Sequence, residues 1–468
     1  MNESAYEKYS TGRLNDAFEF CEGYKNFVST AKTEREVIIQ TIKIAEENGF
    51  VNIKEYLKNN NRLKPGDKIY DINMNKAMIL AVIGDEKLEN GLNIVGSHID
   101  SPRLDLKSTP IYEEGNICLL DTHYYGGIKK YQWTTLPLAI HGIVCKKDGT
   151  IINVTIGENE DDPVFSISDI LPHLAQEQMK SIASEFIKGE DLDLIIGSEI
   201  PESKDDETHN KDEKCEKKEN PIFTLLKEKY NIEKDDFNSA ELEVVPAGKA
   251  RDLGLDRSLI LAYGQDDRSC AFTSVQAIFD AKPSERTQCC LCVDKEEIGS
   301  VGATGMASNL FENMIAEVIA KAEPVYSELI LRRCLSNSNM LSSDVNAAYD
   351  PLNSGLYDKD NASVLGGGIT FQKYTGARGK SGASDANPEF IAKVRAAMDE
   401  NKVRYQMAEL GKVDQGGGGT IAYHAAKYGM NVLDAGVAVL SMHAPWEITS
   451  KEDIIQAYNG NKAFLGIK

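Results

Sequence analysis

The sequence predicts an α/β protein interrupted by an inserted, mainly-β second domain, and three observations predict it. Short strand-like apolar runs alternate with amphipathic helical stretches over residues 1–100 and again over 246–468. Between them, over 101–245, helical spacing gives way to β-rich segments separated by glycine turns. At 468 residues the chain also exceeds one ordinary core and calls for two domains. The first 100 residues must therefore pack beside the last 220 or so, bracketing the insert.

The elements follow in order. Leu14, Phe18, Cys21, Tyr24, Phe27 and Val28 recur at helical spacing. A second helix opens at Thr33, with Glu36 completing a capping box, and closes near Asn48-Gly49. Ile69 to Ile83 holds two strand runs with Asn73-Met74-Asn75 as the turn, and Gly91 to Gly96 leads a buried strand into Ser97-His98-Ile99-Asp100. Ile117–Leu120, Leu138–Cys145 and Ile151–Ile156 are strands of the insert. Residues 201–220, a run of Glu, Lys, Asp and Asn without a large apolar side chain, read as a mobile loop that buries nothing. The α/β pattern resumes around Val244-Val245-Pro246. It continues with a strand at Leu259–Gly264, a helix at Ser269–Asp280, a strand at Val432–Leu440 and a helix opened by Thr449 with Glu452 as its capping box.

Composition narrows the function. A formal net charge of −21 and the lack of a Lys/Arg cluster exclude nucleic acid as a partner. Residues 1–15 are polar and do not read as a secretory signal, and no run approaches the about 20 apolar residues that span a bilayer. The expected compartment is cytoplasmic. Nine cysteines form no regular framework. Cys289, Cys290 and Cys292 lack a second Cys pair or nearby His and read as buried thiols.

The chemistry concentrates at strand ends, where open α/β sheets bind ligands. Glu296-Glu297 follows an apolar run ending near Val293, with Gly299 and Gly302 turning the chain. An isolated Glu-Glu pair is ordinarily a solvated loop end. Here, however, four more predicted strand ends carry His98-Ile99-Asp100, Asp266-Asp267, Ser343-Asp344 and Met442-His443. Spacing of i, i+2 puts His98 and Asp100 on one strand face, where a carboxylate can orient a ligating imidazole. Imidazoles and carboxylates without thiolate suit zinc, cobalt or manganese, and the set is rich enough for two divalent ions sharing a carboxylate.

At these residues the chain resembles the aspartyl-aminopeptidase family of di-zinc exopeptidases, which includes vacuolar aminopeptidase I. The matching runs are Gly96-Ser97-His98-Ile99-Asp100-Ser101-Pro102, Phe237-Asn238-Ser239-Ala240-Glu241-Leu242, Tyr263-Gly264-Gln265-Asp266-Asp267-Arg268, Asp294-Lys295-Glu296-Glu297-Ile298-Gly299-Ser300, Ser342-Ser343-Asp344 and Met442-His443. The resemblance implies a three-layer, mixed-sheet exopeptidase domain. It implies that Asp266 bridges two metal ions, that His98 and Asp344 complete one site, and that Glu297 and His443 complete the other. It gives Glu296 the role of general base and acid, has Asp100 orient His98, and makes Asp266–Asp267 a candidate cis peptide. It further implies a tetrahedral dodecamer in which a histidine of the insert enters a neighbouring subunit's site. By its place in the stretch from Pro163 to Leu174 that residue is His173, while His141 sits too early, among strand residues. Asn346 stands where the family usually has His, and the ending His443-Ala444-Pro445-Trp446-Glu447 replaces the more frequent His-Ser. These departures place the chain in a divergent branch.

The function expected is a metal-dependent aminopeptidase acting on peptides with a free N-terminus. The competing readings are a di-metal amidohydrolase of acylated amino acids and a catalytically silent, shell-forming relative. Lys373, Arg378 and Lys380, in a Gly-rich stretch, would favour acidic first residues if they line the cleft.

Overall fold

A computed structural model describes residues 11–59, 61–198, 221–376 and 378–468. The expected loop at 201–220 lies outside the described residues. The chain divides into two compact units, Met1–Ser101 with Lys249–Lys468, and Pro102–Gly248.

In the discontinuous unit the period-2 pattern of the strands builds a nine-stranded mixed sheet. Alternation splits its side chains between two apolar cores. Cys290 and Cys292 face one, with helices Thr11–Thr30, Glu34–Glu47, Gln265–Phe279 and Lys451–Leu465 packed there. Cys289, Leu291 and Val293 face the other, with helices Leu310–Ala322 and Glu328–Ser336. The result is a helix–sheet–helix sandwich, an α/β fold of three layers. The cysteines thus serve as small apolar side chains on opposite faces, and each described one is a free thiol.

Local chemistry fixes several boundaries. The Thr33 hydroxyl accepts the Glu36 N–H at 3.3 Å and the Glu36 carboxylate accepts the Thr33 N–H at 3.1 Å, a closed capping box worth about 1 kcal/mol. Met74 and Asn75 take the left-handed φ values of 51° and 56° that a tight hairpin turn between Lys68–Asn73 and Ala77–Val82 demands.

Two sequence expectations near the C-terminus are corrected. The strand foreseen over 432–440 is two strands. Asn431–Gly436 belongs to the nine-stranded sheet, and Ala438–Leu440 to a separate five-stranded sheet. The chain crosses where a Cβ on Gly436 would stand 1.8 Å from the Asp344 carbonyl oxygen, so only glycine permits the approach. The capping box at Thr449 does not form. Thr449 lies in the strand Glu447–Ser450, its hydroxyl donates to Gln265 Oε1 at 2.6 Å, and the helix begins at Lys451 behind Ser450.

Strands Thr287–Val293, Leu92–His98, Asn339–Ser342 and Asn431–Gly436 lie side by side and parallel, so their carboxyl ends share one edge. The five-stranded sheet runs Arg251–Leu253, Leu259–Ala262, Glu447–Ser450, Ala438–Leu440, Asn346–Ala347.

The unit Pro102–Gly248 carries a six-stranded antiparallel sheet, from Ile151–Ile156 through Leu138–Cys145, Ala240–Pro246, Arg103–Glu114 and Ile117–Tyr125 to Leu194–Ser198. Val244-Val245-Pro246, read from the sequence as the return of the α/β pattern, is the end of a strand in this sheet, because Val244 pairs with both Ile140 and Leu104.

Candidate metal centre

Each predicted strand end delivers its side chain to one buried cluster. His98 is the last residue of its strand and Asp344 follows Asn339–Ser342 by two. After Val293 the chain turns at Lys295 (φ 70°), earlier than the expected turn at Gly299, and Glu296–Ile298 forms a single 3₁₀ turn. Asp266 stands at the start of Gln265–Phe279, in non-helical backbone, and the Asp266–Asp267 peptide is cis. His443 follows Ala438–Leu440 with φ 65°.

The centre of the cluster is the Asp266 carboxylate. Its Oδ1 lies 3.2 Å from His98 Nε2 and its Oδ2 lies 3.2 Å from His443 Nε2. Asp344 Oδ1 is 3.8 Å from His98 Nε2, and Glu297 Oε2 is 3.5 Å from His443 Nε2. His98 is 1% exposed and Asp266 4%, whereas the His443 side chain keeps 34%, so the cluster opens on the His443 side.

Asp100 works through both halves of the residue. Its backbone carbonyl accepts from His98 Nδ1 at 3.1 Å, closer than its own carboxylate at 3.4 Å. This bond leaves Nε2 facing the carboxylates. The Asp100 carboxylate accepts the backbone N–H groups of Glu296 and Glu297, each at 3.2 Å, and so fixes the turn that carries both. Arg268, wholly buried, ties the base of the site together. It donates to Gly264 O at 3.0 Å, Ala31 O at 2.8 Å and Ser101 Oγ at 2.8 Å, and Ser101 in turn donates to Asp266 O at 2.6 Å.

Electrostatics and donor geometry test whether this set fits a cation. Burial pushes the Glu296 carboxyl up to about 8 against the pull of His98, with Asp344 and Asp266 adding to the rise. Burial, then the Asp266 charge, lifts Glu297 well above the carboxylate range, and burial lifts Asp344 too. The carboxylates outnumber the imidazoles, and that surplus negative charge is what a divalent ion neutralises. Asp266 Oδ1 and Glu297 Oε1 are buried and accept no hydrogen bond. Donor atoms around one tetrahedral zinc, bound at about 2.0–2.1 Å, stand about 3.3 Å apart. The 3.2–3.8 Å separations match that spacing. The residues fit a metal.

Of the site residues expected from the sequence, His98, Asp100, Asp266, Glu296, Glu297, Asp344 and His443 lie together in the unit Met1–Ser101 with Lys249–Lys468. His173 belongs to the unit Pro102–Gly248 and is exposed there. His141 is buried, with Nε2 3.1 Å from Glu158 Oε1. The sequence reading missed Gln265 and Glu447. Both lie in quoted motif runs, and the available signal was a polar side chain in a segment that must be buried.

Comparison with known proteins agrees with this geometry. The family profile described as aminopeptidase I zinc metalloprotease (M18) matches residues 27–465. A probable M18 family aminopeptidase 1 of Clostridium acetobutylicum is 55% identical over 463 residues, covering 99% of this chain and 98% of the relative. The crystal structure of an M18 aminopeptidase from Thermotoga maritima superposes with a TM-score of 0.91 at 41% identity, covering both chains fully. The mApe1 dodecamer of S. cerevisiae shares the fold, with a TM-score of 0.76 at 21% identity over 96% of this chain and 97% of that one. A single buried Asp facing two imidazoles, on a chain matched from end to end, leaves one assignment: the protein is a metalloaminopeptidase and belongs to the M18 family of aminopeptidase I zinc metalloproteases.

Proposed function

We propose that the cluster holds two divalent ions, zinc by preference with cobalt or manganese suiting the same donors, and that it removes the first residue from peptides with a free N-terminus. The carrying observation is the Asp266 carboxylate, which offers one oxygen to each imidazole at 3.2 Å. His98 and Asp344 would hold one ion with it, and Glu297 and His443 the other. When bound, such ions supply Lewis acidity toward the scissile carbonyl and the attacking water. Glu296 takes the proton of that water and returns it to the leaving amine. The Asp100 carboxylate, which accepts its backbone N–H, holds it in place. The free α-amino group of the substrate would be held by metal and carboxylate, which confines attack to the first residue.

Free-amine dipeptides compared with their N-acetyl counterparts, each assayed with added zinc, cobalt or manganese, test this reading. Hydrolysis confined to the free-amine series is the expected result. Faster turnover of the acylated series would mean an amidohydrolase instead.

For specificity we propose acidic first residues. Lys373, Arg378 and Lys380 are exposed, and Lys380 is already engaged, 3.4 Å from Asp385 and stacked on the Tyr374 ring. Lys373 and Arg378 are therefore the cations proposed to meet an acidic side chain. Leu or Met substrates that outpace Asp and Glu tenfold in the same panel would remove this preference.

For assembly we propose a homo-oligomer, with a dodecamer as in mApe1 the specific form, in which His173 serves a partner subunit's site. Its exposure supports the reading, since an imidazole that must reach a neighbour cannot be buried in its own fold. His173→Ala is expected to assemble and bind metal normally while losing about 10²–10³-fold in kcat, the scale for removing a donor to a developing oxyanion. Sedimentation paired with kinetics checks it, and a fully active monomer would refute it. Free thiols at the described cysteines fit the proposed cytoplasmic setting.

A further inference from the structure

Strands Leu259–Ala262 and Ala438–Leu440 deliver Asp266 and His443, and between them in the five-stranded sheet lies Glu447–Ser450. Glu447, its first residue, pairs with Ala262, and Ile448 pairs with Leu440. Glu447 therefore stands where both neighbouring chains leave the sheet for the site. Its side chain is 1% exposed. Its Oε1 accepts the His443 backbone N–H at 2.7 Å and its Oε2 accepts the Asp266 backbone N–H at 3.1 Å. One carboxylate thus grips the backbones of the two residues whose side chains meet at 3.2 Å.

Glu447 is itself held. Gln265 Nε2 donates to the Glu447 carbonyl at 2.7 Å and to Ile260 O at 3.2 Å. Gln265 Oε1 accepts the hydroxyls of Thr449 at 2.6 Å and Tyr24 at 3.0 Å. The amide is committed at both ends and cannot rotate without breaking bonds to two strands and a helix.

We infer that Glu447 is a positioning residue for the metal centre: its carboxylate sets the spacing between Asp266 and His443, and so the affinity of the ion they share. This rests on the proposed metal reading. The two N–H groups point at two separate oxygens of one carboxylate, Oε1 and Oε2 of Glu447. Glutamine has one, and its NH₂ would confront a backbone N–H, leaving one of the two residues unheld. Aspartate keeps both oxygens and the charge but draws them back by one methylene.

The test measures zinc affinity of the full-length protein by competition with a chromophoric chelator, alongside thermal melting of the metal-free form. Glu447→Gln is expected to bind zinc about 10–100-fold more weakly, the scale for an outer partner of a ligand, with the metal-free melting temperature little changed. The zinc concentration for half-maximal activity should rise by the same factor. Glu447→Asp should also bind more weakly, which keeps the test open if the glutamine variant fails to fold. Wild-type affinity in Glu447→Gln overturns the inference. So does wild-type affinity in Glu447→Asp, because charge rather than reach would then be at work, and so does a loss matched by collapse of the metal-free fold. Wild-type protein that binds no stoichiometric zinc would sink the metal reading itself, an outcome visible before any variant is made.

Discussion

Glu296→Gln is expected to keep its metal ions and lose about 10²–10⁴-fold in kcat, the range for removing a general base. Glutamine preserves volume and leaves the backbone N–H that Asp100 holds at 3.2 Å, so the turn and its neighbour Glu297 stay in place. What disappears is the atom that accepts a proton. The carboxylates and imidazoles that meet across 3.2–3.8 Å do not include Glu296, so metal content should stay at the wild-type stoichiometry. Elemental analysis beside steady-state kinetics decides the matter. A metal-free Glu296→Gln protein would mean that Glu296 is a ligand, and the roles of the pair would have to be exchanged.

Asp266→Asn should do the opposite and empty the centre. The native carboxylate faces His98 with one oxygen and His443 with the other. An amide keeps one acceptor and turns an N–H₂ group toward one of the imidazoles or its ion. On the proposed two-ion reading both sites share this side chain, so the loss in affinity should exceed the 10–100-fold typical of an outer partner, and activity should fall to background even in added zinc. Glu297→Gln, whose native carboxylate lies 3.5 Å from His443 Nε2, should shed one ion and retain the other. Calorimetric titration of the metal-free proteins counts the sites. Two full-affinity ions in Asp266→Asn would end the bridging assignment.

Much of this was legible in the sequence because the site is written where strands stop. His98, Asp266 and Glu297 each follow a run whose apolar character marks it as buried, and a charge at such a boundary has nowhere to go but the edge of the sheet. Asp344 follows an Asn/Ser-rich stretch in which only Met340 and Leu341 are apolar. The hairpin at Met74-Asn75 and the capping box at Thr33 were equally plain, since short polar side chains with local backbone partners fix them. What escaped is what depends on partners distant in the chain. Residues 432–440 look like one strand, for their apolar run continues on both sides of Gly436, and the transfer to a second sheet is set by the approach of the Asp344 carbonyl. Thr449 and Glu452 have the spacing of a cap, but the Thr449 hydroxyl is claimed by Gln265 from the far side of the fold. Glu447 gave only half a sign of its double grip: the His443 N–H lies four residues away in the same run, but the Asp266 N–H comes from a distant segment of the chain.

The crossing at Gly436 has a consequence in time as well as in space. Because His98, Asp344 and the Glu296-Glu297 turn arrive on one sheet and Asp266 and His443 on another, sheet order rather than chain order completes the centre. A chain emerging from the ribosome as far as Gly436 carries every carboxylate of the cluster but neither His443 nor the Glu447 that holds it. Translation proceeds at about 5–20 residues per second, and contacts this far apart in sequence are among the last to close in folding. The growing polypeptide therefore lacks part of its cluster, His443 with the carboxylate that holds it, throughout most of its own synthesis.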